Sequence, residues 1–174
     1  MQLSVQSIIP FPIESVYKAM RDHLPELATY LPNIDSVEVK ERKLDGDVLH
    51  LVNQWNPANT EIPSVAKSFI DAEKTYWVDY ATWTGEEKSC SWRLEMGFMP
   101  NRIKCTGRTY FVFVDQNTTE MRVDGSLDLD LKGLVPRLFL GKATKGIEAF
   151  VGKLVQPNFQ KTAQALTDYL RETS

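Results

Sequence analysis

The chain has two cysteines and two histidines in 174 residues, and that scarcity removes most of the familiar catalytic and metal chemistries. Cys90 and Cys105 permit one disulfide at most. His23 and His50 are too few for a histidine-based cage or triad, and no CxxC, HExxH, GxGxxG, P-loop or GxSxG motif occurs. No metal and no cofactor is expected. Long hydrophobic runs are missing too: none approaches the ~20 residues that span a bilayer, so no stable membrane insertion is expected. The opening residues Met1 to Ile9 have neither a basic stretch nor a long apolar core, which speaks against a signal peptide. Nor does one sign of charge prevail. The 20 basic and 23 acidic residues are interspersed, net charge is −3 and the pI is near 5.5. That overall balance is no footprint for nucleic acid or an anionic membrane surface.

Hydrophobic residues make up 43% and charged residues 25%, the profile of a folded water-soluble chain. A chain of this length buries roughly 70% of its unfolded surface and needs no staple. A single domain over residues 1–174, in the cytoplasm, is the expectation.

Residues 2–9 alternate apolar and polar and read as a half-buried strand. Pro10 and Pro12 end it. Ile13, Val16, Tyr17 and Met20, then Leu24, Leu27 and Leu31, recur at helical spacing with Pro25 between them. Two short helices, about 12–22 and 25–31, follow from this. Residues 36–44 pair with 47–55 across Asp45-Gly46, placing Leu49, Leu51, Asn53 and Trp55 on one face. Residues 56–72 are the least regular stretch, with room for one helical turn at 64–70. Further strands follow at 76–84, 90–98, 103–114 and about 120–131, the last with the clearest period of two. From Pro136 onward the period becomes 3.6, through Ala143, Ile147, Phe150, Leu154, Phe159, Ala163, Leu166 and Leu170. This is a long C-terminal helix, with a bend expected near 152–157, where Gly152 and Pro157 fall.

Pairing arithmetic bears on the thiols. If Phe98 faces Ile103, Cys105 faces Met96 and Cys90 faces Phe111. The sulfurs then lie six residues apart along the ladder, about 20 Å, far beyond disulfide reach. Free, buried thiols in a reducing compartment are expected.

The element order is a strand, two short helices, about six antiparallel strands and one long helix. With Phe11-Pro12-Ile13-Glu14-Ser15-Val16-Tyr17 after the first strand and Leu31-Pro32-Asn33-Ile34 entering the second, the chain resembles the START-like, helix-grip superfamily. That superfamily comprises the SRPBCC proteins, including the Bet v 1-like and polyketide cyclase/lipid-transfer groups. The resemblance covers essentially the whole chain. It implies an α+β fold in which a curved antiparallel sheet of about seven strands wraps the C-terminal helix. It also implies an apolar cavity that holds lipids, sterols, polyketides or similar molecules. The superfamily shares no single catalytic set, so no catalytic residue is carried over.

The inward strand faces supply the candidate ligand-binding residues. They are Asn53 and Trp55; Trp92, Leu94 and Met96; Thr109 and Phe111, with Phe113 beyond; and Val123 and Leu127. The helix adds Ile147, Phe150, Val151 and Leu154. The alternative for all of them is a solid core. Gly107, set among large side chains, is where missing volume would leave space. Asn53 on its apolar face either orients a ligand or bonds backbone at a bulge. Asp79, between Trp77 and Trp83, is either a perturbed buried carboxylate or a solvated or arginine-paired one, because alternation alone does not tell which side of 76–84 faces inward. His50 is out of phase with its apolar neighbours and belongs outside.

Binding or transport of a hydrophobic small molecule is the leading reading. A cyclase or aromatase in the same cavity is the alternative, with Asp79, Asn53, Tyr80 and Arg93 as the acid–base candidates. Nothing favours a third reading, a protein-interaction module.

Overall fold

A computed structural model describes residues 1–58, 62, 64, 67, 70–134 and 136–173. Strand β1 (Gln2–Ile9) is followed by helices α1 (Ile13–Asp22) and α2 (Leu24–Ala28). Strands β2 (Ile34–Asp45), β3 (Val48–Pro57), β4 (Trp77–Thr84), β5 (Ser89–Met96), β6 (Ile103–Asp115) and β7 (Thr118–Leu129) come next, and helix α3 (Leu140–Thr173) closes the chain. The helical turn expected at 64–70 falls mostly on residues outside the described ones, which here are 64, 67 and 70 alone.

The seven strands form one sheet in the order β1-β7-β6-β5-β4-β3-β2, every neighbouring pair antiparallel. Strands β1 and β2 are consecutive in sequence yet sit at opposite edges, so α1 and α2 must carry the chain across the sheet's inner side. Prolines set those helices. Pro12 is extended at the entry to α1, and Pro25 occupies the first turn of α2, where its missing amide costs nothing. Glu14 in the first turn of α1 and Arg21 in its last complement the helix dipole. Between β2 and β3, Asp45 faces Val48 and Gly46 turns the chain at φ +58°, a conformation glycine adopts without strain.

Between β5 and β6 the register differs from the sequence expectation. Cys90 faces Thr109 rather than Phe111, and Cys105 faces Leu94 rather than Met96. The cause is the connection. Strand β5 stops at Met96, and Met99 and Asn101 take positive φ of 52° and 65°, which curls the chain. Phe98 thereby leaves the ladder and packs on Phe150 at 5.6 Å. The cysteines lie four residues apart, about 13 Å, and both are free and buried.

A second correction concerns Phe113, which is 61% exposed. The inner face of β6 is covered as far as Phe111, which Tyr17 meets edge-on at 5.7 Å. Phe113 lies beyond that cover, where the register slips before Asp115.

Helix α3 is 34 residues, about 50 Å, and runs unbroken through Pro157. It buries the stripe Ala143, Ile147, Phe150, Val151, Leu154, Val155, Asn158, Thr162, Leu166 and Leu170 against the sheet. At Gly152 an added Cβ would stand 3.2 Å from Met1 Cε, so the N-terminus packs where the helix has no side chain. Among the described residues no helix is long and apolar enough to cross a membrane.

Candidate functional site

A cavity of about 60 Å³ lies between the inner face of β3–β6 and the second half of α3. All four tryptophans of the chain line it. Strand β4 turns Trp77, Asp79, Ala81 and Trp83 inward and its alternate residues outward, which answers the question that alternation left open. Opposite them on β3 stand Trp55, Asn53, Leu51 and Leu49. Trp55 stacks on Trp77 at 5.7 Å with 13° between the planes.

Trp92 on β5 is held on three sides. Its Nε1 donates to Thr109 Oγ1 at 3.2 Å, and its ring meets Phe159 of α3 at 5.0 Å. Beneath it run Gly107 and Gly125, paired across β6 and β7, where an added Cβ would fall 2.4 and 2.6 Å from indole atoms. The volume missing at Gly107 is therefore occupied by the indole and leaves no free space, contrary to the sequence expectation.

Polar groups converge on this apolar chamber. Asn53 Nδ2 donates to Asp79 Oδ2 at 3.3 Å, a side-chain partner rather than the backbone. On the helix, Asn158 Nδ2 donates to the Leu154 carbonyl at 2.7 Å, and Thr162 Oγ1 donates to the Asn158 carbonyl at 2.6 Å. Among the described residues, five buried atoms here have no partner: Asp79 Oδ1, Asn53 Oδ1, Asn158 Oδ1, Trp55 Nε1 and Trp83 Nε1. Because both amides commit their nitrogen to fixed acceptors, their oxygens are the free ends. Burial drives the Asp79 carboxyl up to about 7, against the opposing pull of Asn53 and of the nearby Trp55 indole. That indole N–H is close enough to favour the charge but closes no hydrogen bond. Burial also raises both thiols, Cys105 to about 12 and Cys90 well above its ordinary value. Neither is a nucleophile near neutral pH.

The same architecture occurs in solved proteins. A protein of Thermus thermophilus matches with TM-score 0.65 at 17% identity, over 100% of both chains. The Zhui aromatase/cyclase of Streptomyces sp. R1128 matches with TM-score 0.69 at 12% identity, over 100% of this chain and 96% of that one. A START superfamily protein of Mycobacterium smegmatis matches with TM-score 0.52 at 15% identity, over 99% of each. The chain has the START-like helix-grip fold. No family model matches the sequence, and no curated protein does.

Within this helix-grip frame the sequence candidates separate into two groups. Trp55, Asp79, Trp92, Leu94 and Thr109 line the cavity, and Asn53 adjoins it through Asp79. Met96, Phe111, Val123, Leu127, Ile147, Phe150, Val151 and Leu154 are buried in packed core instead. Tyr80 and Arg93 stand on the outer face, with the Arg93 guanidinium 4.0 Å over the Tyr80 ring, so neither serves the cavity. His50 is exposed, beside Thr82 at 3.2 Å. Sequence reading missed Met20 and Leu24 from the short helices and Val155, Asn158, Phe159 and Thr162 from α3. For Asn158 and Thr162 a signal existed: two polar residues four apart on the apolar stripe of a helix.

Proposed function

We propose that the protein binds or carries a hydrophobic small molecule that bears at least one hydrogen-bonding group, in the cavity between the sheet and α3. The observation that carries this reading is the set of five unpartnered polar atoms around a chamber walled by four tryptophans. Nearly all buried polar groups in native proteins are paired, and each unpaired one costs about 1–3 kcal/mol. A carbonyl or phenolic oxygen between the indoles, with a hydroxyl toward Asp79 or Asn158, lowers that cost. A plain alkyl chain does not. Lipids, sterols and polyketide-like molecules that present such an oxygen belong to this class. At 60 Å³ the chamber has room for a few waters and is smaller than the roughly 150 Å³ that takes up a benzene ring, while drug-sized pockets run to about 300–1,000 Å³. A larger ligand therefore enters only as α3 and the short helices move apart. The free, buried thiols fit a reducing compartment, and we place the protein in the cytoplasm.

Native mass spectrometry of freshly purified protein, with denaturing extraction of what it carried, is the test. A co-purified adduct containing an oxygenated ring or chain is the expected result. An unliganded mass, with no shift on a panel of fatty acids, sterols and aromatic polyketides, overturns the reading.

One observation favours the cyclase-like alternative: a buried carboxyl at about 7 is poised to give and take protons at neutral pH. The Zhui neighbour is named an aromatase/cyclase. An Asp79→Asn variant that still binds ligand but no longer converts it marks the protein as an enzyme. Unaltered ligand in both proteins leaves it a carrier.

A further inference from the structure

We infer that the segment joining β7 to α3 docks the protein on an anionic lipid bilayer. Two observations meet there. Leu134, Leu138 and Phe139 are 46%, 87% and 56% exposed, three outward apolar side chains within six positions, and clustered apolar exposure of this kind is often functional. Around them stand Lys132, Arg137, Lys142 and Lys145, all exposed, and no acidic residue occurs from Leu131 to Ile147. None of the four cations is ion-paired among the described residues. The net charge of −3 conceals this local excess, since the rest of the chain is more strongly acidic than the whole.

The segment is held at its base and presents its apolar tips outward. Leu131 is buried. The Asp130 amide donates to the Arg102 carbonyl at 2.9 Å, and Leu134 and Phe139 close local turns. Apolar side chains flanked by lysine and arginine are what the boundary between headgroups and acyl chains accommodates, and anionic headgroups draw the basic residues toward it. The position matters as well. Strands β3, β5 and β7 end on this side of the sheet, and β4 and β6 begin there, so the stacked Trp55–Trp77 pair stands at the same end of the sheet. Docking here turns this end of the sheet toward the membrane. The inference goes beyond the cavity reading and does not rest on it.

The experiment is co-sedimentation of the full chain, without added ligand, with vesicles of phosphatidylcholine alone or with about one-third phosphatidylserine. Binding to the phosphatidylserine vesicles, weakened by salt, is the expected result. Leu138→Ser with Phe139→Ser, and separately Lys142→Glu with Lys145→Glu, each lower it roughly ten-fold or more. All four positions are exposed, and unchanged circular dichroism confirms that the variants fold. Equal affinity for both vesicle types, binding untouched by either pair, or no binding overturns the inference. So does self-association that the serine pair abolishes, which assigns the patch to a second copy of the chain. Because the four substituted positions lie outside the cavity lining and no ligand is added, a loss of vesicle binding in the variants is independent of what the cavity holds.

Discussion

The two halves of the space under α3 are built from different materials. Beneath its first half, Ile147, Phe150, Val151 and Leu154 meet the region of β1, β7 and Phe98, where the apolar Leu3, Val123 and Leu127 are also buried. Beneath its second half, Val155, Asn158, Phe159 and Thr162 face the tryptophans, Asp79 and Thr109 across a void. One half is filled by buried apolar side chains. The other keeps free volume and leaves polar atoms unpaired, an arrangement that lowers stability and so marks where the fold gives up packing for a site.

The largest expected effect breaks the comparison on the packed side. Phe150→Ala removes a ring that is 2% exposed and costs about 3–5 kcal/mol in urea unfolding. Leu94→Ala on the void side costs nearer 2 kcal/mol, because part of the leucine already faces empty space. Equal costs would mean that the void is filled in solution and the two halves do not differ.

Next in size is the pH dependence contributed by Asp79. Its folded carboxyl titrates at about 7, above the ordinary 3.8. Between those values the folded state holds a proton that the unfolded state has lost, so stability is full below about pH 4 and declines as pH rises to 7. At about 1.4 kcal/mol per pH unit, the loss reaches up to about 4 kcal/mol by pH 8. An Asp79→Asn variant keeps the contact with Asn53 and escapes titration. It should match the parent near pH 4 and exceed it at pH 8; parallel stability curves from pH 4 to 8 would remove Asp79 from the low-dielectric half.

These contrasts show which part of the molecule was legible in the residues. Strand alternation in β1, β3 and β7, and the 3.6-residue period of α3, are local properties, so the α+β order and the inward face of β3 were readable without coordinates. Depth was not. Leu94 and Leu127 carry the same pattern, yet one borders a void and the other is sealed, because that depends on what crosses from α3 and the short helices. Gly107 shows the limit most sharply, since a missing side chain signals space only until a neighbour is found to fill it, and here the neighbour is Trp92. The β5–β6 register failed for a related reason. Two left-handed residues, Met99 and Asn101, curl a connection that was read as a plain turn.

The smallest expected effect separates stability from function within the void half. Asn158 commits its amide nitrogen to the Leu154 carbonyl, an acceptor that the helix already supplies with a donor, and leaves Oδ1 unpaired. Leucine has the same branching at Cγ, fills part of the free volume and removes the unpaired oxygen. Asn158→Leu should therefore raise stability by about 1 kcal/mol. If the oxygen exists for a ligand, the same change weakens binding of the extracted molecule about ten-fold, the equivalent of one hydrogen bond. Calorimetric titration beside a urea melt reads both quantities from one variant. A gain in stability with unchanged affinity would return Asn158 to ordinary core, while a loss of stability would show that the oxygen is already paired, by ordered water, in the unliganded protein.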